Sequence, residues 1–257
     1  MLDLKQIETF YPEYLRPFKR NLLREYLQHK ILEAIYSSPY GQRLSFMGGT
    51  AIHIIHGNPR FSEDLDFDNL GLGKDEFEGL ELVIRRRLEL EGYSMEISAS
   101  YGRAFHLFIG VKDLLHRYGL SAHRSEKVHV QVDAEPQQFS YQAEKYMLNK
   151  FDVFVRISAV PCDILLSQKI SAIFTRKRPM GRDFFDTIYL TGKTKPNTDY
   201  LRSKLHLRDI SDLREKLTNK CASLNFADLA RDVEPFLFVP ADSKKILDFP
   251  AIISEFR

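Results

Sequence analysis

Between residues 13 and 37 apolar side chains return at helical spacing: Leu15, Phe18, Leu22 and Tyr26, then Leu27, Ile31 and Ile35. Charged residues fill the gaps, which predicts one or two helices, ended near Ser37, Ser38 and Pro39. A short apolar run over 43–47 leads into Gly48-Gly49-Thr50. Ala51, Ile52, Ile54 and Ile55 then read as a short helix closed by Gly57-Asn58-Pro59, so the order is strand, glycine turn, helix. Residues 61–67 alternate and predict a second strand. An amphipathic helix is expected over 80–90, and further strands over 94–100, 105–111, 128–132 and 151–160. Pro161 is placed to open a helix running from Cys162 to Thr175, and Gly181 precedes another over 182–190. Phe139, Tyr141 and Tyr146, with Lys145 and Lys150, read as a loop packed on the core, or else as a surface that stacks single-stranded nucleic acid. Residues 193–198 are polar and turn-rich. Beyond them Leu201, Leu205, Leu213, Leu217 and Leu224 give a helical pattern. The expectation is an α/β (α+β) chain: N-terminal helices over 1–40, a mixed sheet of about five strands flanked by helices over 41–195, and a helical part over 196–257.

Composition narrows the class. The 257 residues are 44% hydrophobic and 28% charged, an ordinary globular balance that excludes a disordered chain. No run of some eighteen uncharged apolar residues occurs, so no membrane span is expected. The N-terminus carries Asp3 and no apolar signal region. Two cysteines, Cys162 and Cys221, supply neither a disulfide framework nor a zinc cage; Cys162, in apolar surroundings, reads as core. These features together predict a reduced, cytoplasmic protein.

The net charge of +2 is uninformative, but its distribution is not. Eight acidic residues and one lysine lie between Glu63 and Glu81, whereas Lys169 to Arg182 holds five basic residues and no acid. Acid holds cations and base holds phosphate. Glycines after a strand let backbone N–H groups approach a phosphate, and the helix that follows adds its positive end. Asp64 and Asp66, two apart in an expected strand, point to one face about 7 Å apart. Such a pair can grip divalent cations about 4 Å apart, which activate an attacking oxygen and steady a leaving one. Magnesium suits oxygen ligands that leave room for substrate phosphates. A half-buried strand with its polar face in water is the plain alternative. A calcium loop starting at Asp64 fails at Asn69 and Asp75, where glycine and glutamate are required. His53 and His56 lack a third ligand at zinc spacing.

Gly48-Gly49-Thr50-Ala51, followed by Arg60-Phe61-Ser62-Glu63-Asp64-Leu65-Asp66-Phe67, resembles the signature of the AbiEii/AbiGii toxin family, within the DNA polymerase β-like nucleotidyltransferases. A second ordered block, Leu166 to Arg176 with Lys169, then Arg182-Asp183-Phe184-Phe185-Asp186, resembles that family's lysine helix and its Arg-Asp-x-x-Asp helix. The resemblance implies a polymerase β-like sheet, Gly48, Gly49 and Thr50 on the nucleoside triphosphate (NTP), and two Mg2+ ions on Asp64 and Asp66. Asp133, at the end of an apolar strand, is where such enzymes often place a third carboxylate, as metal ligand or base; a solvated strand end is the plain reading. Lys169 is expected on a phosphate and Asp183 in the active site, orienting Lys169 or touching nucleotide. Asp186 is expected to be structural. Arg176, two turns beyond Lys169, faces a phosphate or Asp183. Ser62 shares a face with the aspartates and reaches phosphates or is a plain turn hydroxyl.

The resulting expectation is a magnesium-dependent transfer of a nucleoside monophosphate from an NTP (ATP, GTP or CTP) to an acceptor, with pyrophosphate released. The tRNA 3′ end is the expected acceptor, an antitoxin the expected partner. The clusters Arg85-Arg86-Arg87 and Arg176-Lys177-Arg178 favour a polyanion. The rivals are a non-catalytic binding protein with a degenerate nucleotidyltransferase fold, and transfer to a small molecule or protein.

Overall fold

The architecture, taken from a computed structural model, is described for residues 1–254. In chain order the elements are α1 (Leu4–Glu8), α2 (Lys19–Tyr36), β1 (Leu44–Met47), α3 (Gly48–His56), β2 (Leu65–Asn69) and α4 (Lys74–Leu90). Then come β3 (Met95–Tyr101), β4 (Phe105–Val111), α5 (Leu114–Arg117), β5 (Val128–Glu135), β6 (Glu144–Lys150) and β7 (Val153–Ala159). The helices α6 (Cys162–Thr175), α7 (Gly181–Thr191), α8 (Thr198–Leu205), α9 (Ile210–Cys221), α10 (Phe226–Val233) and α11 (Phe249–Ser254) complete the described chain. They fall into two compact units. One is Met1–Ala51, Phe61–Gln138 and Ala143–Ala159; the other is Ile52–Arg60, Phe139–Gln142 and Val160–Arg257.

The first unit is built on a seven-stranded sheet in the order β3-β4-β5-β2-β1-β7-β6. Its pairings are antiparallel except β2 with β5 and β1 with β7, which are parallel. Helix α2 lies against β5 and β7, and α4 against β3. Phe77, Leu80, Ile84 and Leu88 recur every three or four residues along α4 and are fully buried, contributing about 1.5–3 kcal/mol each. Strand β5 alternates: Val128, Val130 and Val132 are buried while His129, Gln131 and Asp133 face outward. The long helix α2 is buried almost all round, Lys30 included, and Lys30 Nζ is paired with Glu33 at 3.0 Å and Glu91 at 2.9 Å. A buried charge without such partners would cost several kcal/mol, of the order of 3–5.

Three sequence expectations are corrected here. The sheet has seven strands rather than about five: the six strand segments expected along the chain all join it, and residues 144–150 add the edge strand β6 in place of a loop. Only Leu148 of β6 is buried, so no alternation marks it. Phe151, at φ 60°, turns β6 back into β7, which starts at Val153; its ring is held by Phe10, Tyr26 and His29 at 4.9–5.2 Å between centroids. Strand β2 begins at Leu65, not Phe61. The Gln28 amide donates to the carbonyls of Ser62 and Glu63 at 3.0 and 2.9 Å, occupying groups a strand would use for pairing.

In the second unit α7 packs on α6 and α10. A Cβ at Gly181 would lie 2.0 Å from the Leu229 carbonyl oxygen, so only glycine admits this approach. Three residues further along, Phe184 packs against Phe226 and Phe249, at 5.8 and 4.8 Å between centroids. Cys162 is half-buried rather than core; Cys221 is buried, and burial pushes its thiol up to about 11. Among the described residues no helix is long and apolar enough to cross a membrane.

Candidate active site

One cluster of the expected residues lies in the sheet unit, where β1 runs into α3. Gly48 has φ 77°, and a Cβ added there would sit 2.0 Å from Asp66 Oδ2. Glycine at this turn is therefore a requirement of the Asp66 carboxylate, which occupies the space of the missing side chain. Gly49 and Thr50 continue the first turn of α3. Thr50 is fully buried and its hydroxyl donates to the Asp64 carbonyl, pinning the helix start to the approach of β2.

The register of β2 and β5 pairs Asp66 with Asp133. Side chains at matched positions of neighbouring parallel strands leave the same face, with the strands about 5 Å apart. Asp133 is therefore next to Asp66 despite its distance in sequence. The row continues onto β4, where His106 is in register with Asp133. His106 Nδ1 lies 2.7 Å from Asp133 Oδ1, and the Gln131 amide donates to both Asp133 oxygens at 2.8 and 2.9 Å. Asp64 precedes β2 and is half-buried. Asp68 is buried and accepts the Gln137 backbone N–H at 2.8 Å, which makes it part of the frame. Ser62, outside the strand, does not share its alternation.

Among the described residues no three His, Cys, Asp or Glu side chains converge into a ready-made metal cage. Magnesium does not need one: it is held by one or two carboxylates, with waters and substrate phosphates completing its shell. The adjacent Asp66 and Asp133, both hard oxygen donors, with Asp66 seated in a cradle that a Cβ would fill, fit that ion.

Another cluster of the expected residues lies in the helical unit. Lys169, on α6, is buried, and its Nζ sits 2.9 Å from Asp186 Oδ2 and 3.3 Å from Asp183 Oδ1 on α7. Asp186 is the hub. It receives both Arg60 Nε and Nη2 at 2.6 Å and the Asn58 amide at 2.7 Å, and is wholly buried. Burial alone would raise its carboxyl, but Arg60 and Lys169 outweigh burial and hold it at about 2. Asp183 also meets Arg176 Nε at 2.8 Å. Arg176 does not continue the Lys169 helix face: it is the extended residue that ends α6. Sequence reasoning left Asn58 without a role, treated Arg60 only as a motif residue and missed His106. An arginine and an asparagine bracketing Pro59 was the available signal for the first two; His106 had none, since only strand register reveals it.

The basic clusters are largely engaged. Arg85 pairs with Glu81, Arg87 with Glu33 and Glu91, and Arg178 with Asp232. Arg86 and Lys177 are exposed.

A mixed sheet with a strand–Gly-Gly–helix turn and in-register aspartates defines a nucleotidyltransferase fold. The chain belongs to the AbiEii family, the nucleotidyl transferase AbiEii toxins of type IV toxin–antitoxin systems, whose model matches residues 30–248. The crystal structure of JHP933 from Helicobacter pylori is similar at a TM-score of 0.56 and 16% identity, over 91% of this chain and 90% of that one. A second H. pylori structure, provisionally assigned as a nucleotidyltransferase, gives 0.56 and 16% over 90% and 93%. At this identity the likeness speaks for the fold, which is the expected mixed α/β nucleotidyltransferase fold. No curated protein matches the chain.

Proposed function

We propose that the protein is a magnesium-dependent nucleotidyltransferase that moves a nucleoside monophosphate from an NTP onto RNA, at the 3′ end of tRNA. The observation that carries this reading is the Asp66–Asp133 register beside the Gly48 turn. Gly48, Gly49 and the N-terminus of α3 hold the triphosphate through backbone N–H groups. Asp64, Asp66 and Asp133 are the carboxylates that hold Mg2+, which when bound neutralises phosphate charge and polarises the α-phosphate. An acceptor hydroxyl oxygen bonds to the α-phosphorus, the bond to the bridging oxygen breaks, and pyrophosphate leaves with the electron pair. The hydroxyl proton passes to Asp133. Lys169 has three N–H donors; two face Asp183 and Asp186, and the third serves a phosphate. The proposed reaction accords with a cytoplasmic protein, since NTP and tRNA are found there, and the family supports an antitoxin partner.

The test uses each α-labelled NTP in turn with total RNA and magnesium. Label is expected in the tRNA fraction with pyrophosphate released. Label that reaches only protein or a small molecule, with intact tRNA present, overturns the acceptor; no transfer from any NTP overturns the reaction.

A further inference from the structure

The outward face of β3, β4 and β5 carries a feature the proposed transfer does not use. Phe108 stands near the middle of this three-stranded stretch yet is 42% exposed. Its neighbours in register are Ser98 on β3 and Gln131 on β5. A cavity of about 300 Å³ on one side is lined by Phe108, Asp64, Gln131, His129 and Arg24 among others. A second of about 350 Å³ is lined by Phe108, Ser98, His129, Lys127 and Glu96 among others. His106 lies nearly parallel to the Phe108 ring, with centroids 6.1 Å apart and planes 25° apart, and its Nδ1 faces Asp133.

From this arrangement, and resting on the nucleotidyltransfer reading, we propose that Phe108 is the stacking seat for the last base of a single-stranded RNA 3′ end. Three observations converge on that occupant. An aromatic ring displayed from the open face of a sheet is how sheet-based modules stack RNA bases. The surrounding groups include the Ser98 hydroxyl, the Gln131 amide and the His106 and His129 imidazoles, which suit the polar edges of a base and do not suit an apolar peptide, while Lys127 is held by Glu96. Phe108 is also the diagonal neighbour of Asp133, about 7–8 Å away across the strands, so a nucleotide stacked there can bring its ribose hydroxyl to Asp133. His106 is a positioning residue in this scheme, contacting the ring on one side and the carboxylate on the other.

The probe is a short single-stranded RNA with 2-aminopurine at its 3′ end, whose fluorescence is quenched by stacking. Wild-type protein should quench it, Phe108→Ala should not, and Phe108→Trp should restore quenching. In steady-state transfer Phe108→Ala should raise KM for the RNA about ten- to hundredfold while leaving KM for NTP unchanged. Because Phe108 is exposed, the alanine variant should fold, and an unchanged unfolding midpoint checks it. Equal quenching by wild type and Phe108→Ala, or none by wild type, overturns the assignment whatever the activity. Quenching removed competitively by NTP alone would make Phe108 the seat of the incoming nucleotide and overturns it too. Intact quenching without transfer to any RNA leaves the stacking seat standing and refutes the nucleotidyltransfer reading instead.

Discussion

Asp186→Asn tests whether the Arg60–Asp186–Lys169 cluster is a buried electrostatic joint. The carboxylate accepts two Arg60 bonds at 2.6 Å and one Asn58 bond at 2.7 Å, and faces Lys169 at 2.9 Å. Asparagine keeps the shape, removes the charge and turns an N–H2 group toward donors. Arg60, 1% exposed, then loses the carboxylate it is bonded to, and removing one partner of a buried pair costs about 3–5 kcal/mol. In urea titration, with a slope of about 3 kcal/mol per molar, the midpoint should fall by about 1–1.7 M. The pH dependence gives an independent arm. Asp186 is held at about 2, below its ordinary 3.8. A depressed carboxyl adds stability that is complete above the unfolded value and is lost as pH falls through the folded one. The wild type should therefore lose about 2 kcal/mol from this group between roughly pH 4 and pH 2, and the variant should lack that component. Arg60→Met combined with Asp186→Leu should recover much of the stability lost by either single change, because no charge is left unpaired. A loss below about 1 kcal/mol in Asp186→Asn, with unchanged acid sensitivity, would refute the reasoning.

Asp66→Asn should abolish transfer with the unfolding midpoint unchanged; near-wild-type transfer by the folded variant would remove Asp66 from the metal site. Gly48→Ala should lose stability and activity together, because its Cβ collides with Asp66 Oδ2 at 2.0 Å and φ is 77°; an unaltered midpoint and rate would contradict the cradle. Lys169→Ala should weaken NTP binding and lower the midpoint, whereas exposed Lys177 should affect neither; equal effects on NTP affinity would make Lys169 an ordinary lysine. Neutralising Arg86 with Lys177 should flatten the salt dependence of RNA binding by no more than about 1.4 in log–log slope, at about −0.7 per phosphate on a single strand. A steeper loss would mean that the Glu-paired arginines also reach phosphate.

Elements with a strong local signal were readable in the sequence. Strand β4 matches its expected span and α6 runs from Cys162 to Thr175 as expected, because Pro161 and a long apolar run fix its start and interior. What escaped was set by partners distant in sequence. Gln28 occupies the carbonyls of 62 and 63 before β2 begins, and β6, an edge strand, buries only Leu148. The Asp64/Asp66 pair and Lys169 were visible as motifs, but the neighbourhood of Asp66 and Asp133 depends on a register no spacing reveals. Arg176 was misplaced because a helix period was extended past Thr175.

Strands β2 and β5 run parallel, so no hairpin can close them; β5 reaches β2 only after α4, β3 and β4 have been threaded between. Timing follows from this. While the chain is being synthesised, at roughly 5–20 residues per second, Asp66 emerges early but its partner Asp133 is not available until about half the chain has been made, and Lys169 meets Asp186 later still. On the proposed reading the nascent chain lacks its paired carboxylates until Asp133 has been made. The full set of site residues on that reading exists only once Asp186 has been made, about seven-tenths of the way along the chain.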